Sequence, residues 1–163
     1  MASAQEMIVH SLHAAQLMLH RFLDELKPEE FLHQPCPGGN CAAWIVGHLV
    51  CSAHRQLKSL GAADVPELPA GFAERFATTK AAASTPGDYG DPKELLRLFD
   101  AVHQRLSAQV RQMTDAALAG PPPFATPLFA NTGEALNFMG LHIAMHMGQV
   151  SVIRRSLGYP PVA

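Results

Sequence analysis

Cys41-Ala42-Ala43-Trp44-Ile45-Val46-Gly47-His48-Leu49-Val50-Cys51-Ser52-Ala53-His54-Arg55-Gln56-Leu57-Lys58-Ser59-Leu60 is the stretch that decides the fold. Asn40 before it reads as an N-cap, and Gly61 after it as a stop. Between them Ala42, Ile45, Val46, Leu49, Val50, Ala53 and Leu57 place apolar groups on most sides of a helix. A helix with so little polar surface belongs in the middle of a bundle.

Three further segments supply its neighbours. The first runs from about Ser3 to Leu26. Ser3 and Glu6 have capping-box spacing, and Ile8, Leu12, Ala15, Leu19, Phe22 and Leu26 recur along one face. Pro28 closes it. The third helix begins at Asp91-Pro92-Lys93-Glu94, an N-cap followed by proline at the first helical position. Its stripe is Leu95, Phe99, Val102, Leu106, Val110 and Met113, and it is expected to end near Gly120. The fourth starts near Asn131 or Thr132 and runs to about Leu157, where Gly158 and Pro160 stop it.

Residues 34–40 form a Pro- and Gly-rich loop. Residues 62–90 contain Pro66, Pro69, Gly71, Pro86, Gly87 and Gly90. So long a connection is unusual in a small domain. A crossover running the length of the bundle accounts for it, with room for a short helix around Phe72 to Lys80. The expected architecture is all-α: a four-helix bundle with a long crossover between helices two and three, as one domain over residues 1–163.

The composition removes whole classes of function. Of 163 residues, 48% are hydrophobic and 16% charged, which excludes a disordered chain. A net charge of −2 argues against a nucleic-acid binder, which needs a basic face for phosphates. No segment approaches the roughly 20 apolar residues of a membrane span. The start, Met1-Ala2-Ser3-Ala4-Gln5-Glu6, lacks a basic secretory n-region. Cys36, Cys41 and Cys51 are an odd number, so free thiols in a reducing cytoplasm are expected. So apolar a chain with so little charge also suggests that a second subunit covers part of its surface.

Nine histidines carry the functional question. In Leu141-His142-Ile143-Ala144-Met145-His146-Met147-Gly148-Gln149, His142 and His146 are four apart, only about 40° from each other around a helix. Ala135, Met139, Gln149, Val150 and Ile153 flank the same sector, so the pair lies in the stripe facing the core. Two imidazoles in an apolar interior are costly unless something accepts them, and protonating both makes matters worse. A metal ion removes both difficulties. The ordinary alternative is a pair of buried histidines hydrogen-bonded to neighbours. A third ligand must come from another helix, and His48, in the most buried helix beside Gly47, is the candidate. Three ligands leave coordination positions open, as catalytic sites do.

These residues resemble the DinB/YfiT-like metalloenzyme family. Trp44-Ile45-Val46-Gly47-His48-Leu49 matches its histidine within a buried second helix. His142-Ile143-Ala144-Met145-His146-Met147-Gly148-Gln149, followed by Arg154-Arg155-Ser156-Leu157-Gly158, looks like its last-helix pattern. The resemblance covers nearly the whole chain, long connection included. It implies that His48, His142 and His146 bind a divalent metal such as zinc or nickel in a four-helix bundle, often a homodimer. It further implies, for some members, metal-dependent transfer or isomerisation chemistry that uses low-molecular-weight thiols.

The remaining candidates carry plainer readings. His10, His13 and His20 fall opposite the apolar stripe of the first helix, His33 sits in a loop, and His54 is rotated away from His48. His103 lies at the edge of its helix's stripe, within reach of a supporting role. Cys41 and Cys51 share His48's side of the helix but form no Cys-x-x-Cys pair and read as small buried residues, with a Cys/His metal site or a thiol in the pocket as the alternatives. Gln149 and Ser52 suit supporting hydrogen bonds. Trp44 suits a pocket wall or core packing, and Arg154 and Arg155 the helix C-terminal dipole or an anionic substrate. The expected function is a metal-dependent enzyme that activates a low-molecular-weight thiol for S-transfer to an electrophilic small molecule. The alternatives are a metal-dependent hydrolase and a non-catalytic metal- or ligand-binding dimer.

Overall fold

Ser3, Asp91 and Asn131 each begin a helix by accepting a backbone N–H, from Glu6, Lys93 and Glu134 respectively. The computed structural model describes residues 2–76, 89–124 and 127–162. Among them all regular structure is helical. The elements are α1 (Ala4–Leu23), a 3-10 turn (Pro28–Leu32), α2 (Ala42–Ser59), α3 (Phe72–Arg75), α4 (Pro92–Gln112), α5 (Asp115–Ala119) and α6 (Thr132–Ser156). The four long helices are the four read from the sequence. No helix among the described residues is long and apolar enough to cross a membrane.

The directions of the long helices follow from named contacts. A Cβ on Gly140 of α6 would lie 2.7 Å from the Ser11 hydroxyl of α1. Near the other end of both, Arg154 donates to the Phe22 carbonyl at 3.0 Å. Hence α1 and α6 run side by side in the same direction. Gln5 donates to the Met113 carbonyl at 3.0 Å and His20 meets Asp100 at 2.7 Å, so α4 is antiparallel to α1. Asn40 reaches Gln149 and His48 reaches His142, so α2 is antiparallel to α6. It follows that α2 and α4, which pack closely, are parallel. Parallel neighbours require a connection that returns the length of the pair, and this is why the chain between α2 and α4 is so long.

Several boundaries differ from the sequence reading. Asn40 is not the cap of α2; Cys41 holds that position without a side-chain bond, and the Asn40 amide is taken by Gln149 instead. α1 ends at Leu23, three residues before Leu26. The third long helix stops at Gln112, because Met113 turns extended and Thr114 caps the separate helix α5 through the Ala117 N–H. Leu118 then tucks into the core. The short helix after Gly71 covers Phe72–Arg75. The rest of its expected span, to Lys80, and the turn residues Pro86 and Gly87 lie outside the described residues.

Cys41 and residues 42–50 of α2 are all buried, as the helix's pattern requires. Gly47 is there for space. A Cβ on it would lie 2.3 Å from the Phe76 ring, which is itself fully buried and stacks on Tyr89. The crossover is thereby pressed directly onto the α2 backbone. At the far end Arg154, 2% exposed, is satisfied by the Phe22 carbonyl and an ion pair with Glu25, and lies over the Tyr159 ring. It clamps the ends of α1 and α6 together; it does not face a substrate. Gly47→Ala is expected to lower stability by about 1–3 kcal/mol, the usual cost of overpacking, with Phe76 displaced. Urea denaturation checks this, and an unchanged midpoint would contradict the close contact.

Candidate metal centre

His142 and His146 stand one turn apart on α6, and His48 projects toward them from α2. His48 Nε2 lies 3.3 Å from His142 Nε2, and His146 Nε2 lies 3.1 Å from the same atom. One ligand atom from each of the three falls within 4.8 Å of the others, a group able to hold a metal ion. Among the described residues no Cys, Asp or Glu forms another such group. His48 and His146 are buried and His142 is partly exposed.

The far sides of the rings are held. His48 Nδ1 faces the Phe76 carbonyl at 3.4 Å, and His146 Nδ1 faces Gln149 Oε1 at 3.0 Å. Both partners are acceptors, so each Nδ1 carries its proton and each Nε2 keeps a lone pair. Asn40 donates to the same Gln149 oxygen at 3.2 Å, fixing its amide. Trp44 stacks on His48 with centroids 4.8 Å apart, and Phe138 stacks on His142 at 6.0 Å. Trp44 packs in the buried core, the plainer of its two readings, and from there stacks against the His48 ring. Gln149 has the supporting role read for it. The Phe76 carbonyl and Asn40 were missed. The first comes from a residue 28 positions away across the crossover, and the second was spent on a capping role it does not fill.

Electrostatics keep the cluster neutral. Burial, then repulsion by His146 and His48, pushes His142 down to about 3. Burial, then His146, lowers His48. Burial lowers His146, against the Gln149 bond that raises it. Three neutral imidazoles then meet with too few protons to go round. His142 Nε2 sits between two lone pairs and can donate to only one of them. A cation satisfies all three at once. Two nitrogens at 2.0–2.1 Å from a tetrahedral ion are about 3.3 Å apart; the two separations to His142 Nε2, 3.1 and 3.3 Å, match this, and all three ligand atoms lie within 4.8 Å of one another. The donor set fits a divalent metal.

A family model for the DinB superfamily matches residues 11–150, a span that includes all three histidines. The chain is a member of the DinB superfamily. No curated protein matches it.

The other histidines of this DinB protein stand apart from the triad. His10 and His13 are exposed and line, with Arg111, a groove of about 560 Å³ between α1 and α4. His20 bonds Asp100, and His33 meets the Ser156 hydroxyl at 2.8 Å. His54 is half-buried, and burial lowers its pKa. Cys36 is exposed, Cys41 buried and Cys51 half-buried, all unpaired. Burial raises the Cys41 thiol and pushes Cys51 up to about 11, so both stay protonated at neutral pH. Ser52 is buried on the His48 side of α2. His103 is fully buried, with Nδ1 2.8 Å from the Phe99 carbonyl and Nε2 without a partner among the described residues.

Burial pushes His103 down to about 4 from an ordinary 6.5. The unfolded chain therefore takes up this proton first, and stability falls as pH drops from about 6.5 to about 4. His103→Leu is expected to remove this share of the acid sensitivity, on the order of 3 kcal/mol across the window. Urea midpoints of metal-free protein at several pH values measure it. An unaltered pH profile in the variant would sink the assignment.

Proposed function

We propose that His48, His142 and His146 bind a divalent ion, zinc or nickel, and that the protein activates a low-molecular-weight thiol for S-transfer to an electrophile. The observation carrying the first half is the convergence of three neutral imidazole nitrogens on one point. Nitrogen donors suit both ions. A divalent ion held by three side chains supplies Lewis acidity at its remaining positions, drawing a thiol of pKa about 8.5 into its thiolate form at neutral pH.

The chain's own residues shape the rest. Trp44 and Phe138 flank the imidazoles and limit the approach to the partly exposed His142 side. Gln149, oriented by Asn40, holds His146 in the tautomer that leaves Nε2 free. No carboxylate joins the cluster among the described residues; Glu134, the acid nearest in sequence, caps Ala130 and Asn131 instead. Thiolate chemistry needs no such base, which favours it over hydrolysis. Cys41 and Cys51, the cysteines on the His48 side of α2, are held protonated by burial, which favours a co-substrate as the source of the sulfur. The sulfur forms the new bond to the electrophilic carbon, the leaving group departs with its bonding pair, and the thiol proton passes to solvent. Three unpaired cysteines suit a reducing cytoplasm, and the exposed apolar side chains suit a homodimer.

Metal analysis of protein purified without an affinity tag is expected to give about one ion per chain. His48→Ala, His142→Ala and His146→Ala are each expected to lose 10- to 100-fold or more in affinity, since even partners of ligands cost that much. Trp44 is the only tryptophan and stacks on His48, so nickel titration is expected to quench its fluorescence in the parent protein and not in these variants. Metal content indifferent to all three changes would overturn the site.

Metal-loaded protein is further expected to conjugate a small thiol to an electrophilic arene, followed by absorbance. The absence of any metal-dependent rate with every thiol tried would overturn the transferase reading and leave the metal site standing.

A further inference from the structure

Across the bundle from the triad lies a groove that metal binding leaves unused. The triad joins α2 and α6, whereas the groove runs between α1 and α4. It has two halves, of about 560 Å³ and 420 Å³, and Val9, His13 and Arg111 line both, so the two are one trough. Each volume falls within the roughly 300–1,000 Å³ of small-molecule sites. The two ends are already satisfied. At one, Ser3 and Glu6 cap each other, and Gln5 bonds Met113 and Asp115. At the other, His20 meets Asp100 at 2.7 Å. Between them the side chains of His10, His13, Gln16, Gln104, Ser107 and Arg111 bond no described residue.

Two of these six are not surface side chains. Gln16 and Ser107 are each only 8% exposed. Buried amides and hydroxyls are ordinarily hydrogen-bonded. A serine within a helix can turn back to a carbonyl one turn earlier, as Ser59 and Ser156 do here. Ser107 does not, and with Gln16 it makes a polar floor to the groove. Arg111 stands over that floor, since a long side chain on a helix leans toward the helix N-terminus and hence toward Ser107. Arg105, on the same helix, spends its guanidinium on the Ala63 carbonyl and Gln109; Arg111 makes no ion pair with a described residue. The carboxylates that line the groove, Glu6 and Asp100, are engaged by Ser3 and His20.

We infer that this groove is a second binding site, for a small organic anion whose carboxylate or phosphate meets Arg111 and whose hydroxyl-bearing body lies on Gln16, Ser107 and Gln104. The chemistry follows from the unspent groups. A free guanidinium matches the paired oxygens of a carboxylate or phosphate. The two amides and the serine hydroxyl each donate and accept, as ligand hydroxyls do. One arginine is too few for a nucleic-acid backbone, which engages several cations. The His, Asp and Glu donors of the groove form no metal-holding group among the described residues. From His10 to Gln16 the α1 wall is about 9 Å long, the span of a small molecule.

The test is calorimetry and an amide NMR titration of the metal-free full chain with glycerol phosphate, malate and inorganic phosphate. At least one of the two hydroxylated probes is expected to saturate a single site per chain below about 1 mM and to shift the Gln16 side-chain amide signals. Binding of glycerol phosphate alone, or of malate alone, identifies which anion the groove takes. Arg111→Gln and Gln16→Leu are each expected to weaken binding about 10-fold or more, the worth of a hydrogen bond to a charged group, with helix content unchanged by circular dichroism. Arg111 is exposed, so its variant keeps the test decisive should Gln16→Leu fold poorly. Arg97→Gln, at an exposed ion pair elsewhere on α4, and His142→Ala are expected to leave binding unchanged. Failure of both hydroxylated probes to bind, or binding that survives Arg111→Gln, overturns the site. Binding lost in His142→Ala also overturns it, by placing the anion on the triad. Inorganic phosphate binding as tightly as the hydroxylated probes overturns the role given to Gln16, Ser107 and Gln104.

Discussion

Three imidazole nitrogens facing one another in a poorly solvated interior cannot satisfy themselves. With both Nδ1 protons committed outward, to the Phe76 carbonyl and to Gln149, the inward-facing atoms have one proton among three acceptors. Much of the surrounding structure serves this convergence. α2 and α6 must be antiparallel and in register for His48 to reach His142. Trp44 and Phe138 must shield the rings, and the crossover must return far enough to bring the Phe76 carbonyl behind His48. Desolvation keeps the imidazoles neutral, which is the form in which nitrogen binds a cation.

The parallel pairing of α1 with α6, and of α2 with α4, is the architectural means to that end. Were α4 antiparallel to α2, a short loop would suffice and no segment would pass across the His48 side of α2. Because it is parallel, the connection must double back, and Phe76 arrives with a backbone carbonyl free to accept. Gly47 and His48 are thus two halves of one arrangement: the missing side chain of the first lets the crossover close enough to support the second.

Much of this was legible in the chain itself. The four long helices, the capping by Ser3 and Asp91, and the burial of α2 followed from periodicity and caps, because local hydrogen bonds and one-sided burial leave marks in order along the sequence. The pairing of His142 with His146 followed from helical spacing. What was not legible is what distant segments do to one another. Asn40 looks like a cap because its type is right, yet Gln149 from α6 takes its amide. Met113 carried the stripe of its helix onward, and only the Thr114 cap reveals the break. Arg154 sat among charges at a helix end, where nothing marks that Phe22 and Glu25 close over it.

The ligand set is also drawn from far apart in the chain: His48 and His142 are 94 positions from each other. A polypeptide emerging from the ribosome displays the first of these imidazoles long before the other two exist. Contacts so distant close late, after the local helices have formed. Any guest that needs all three nitrogens is therefore acquired at the end of maturation, and the earlier, partly made chain offers it only a single weak foothold.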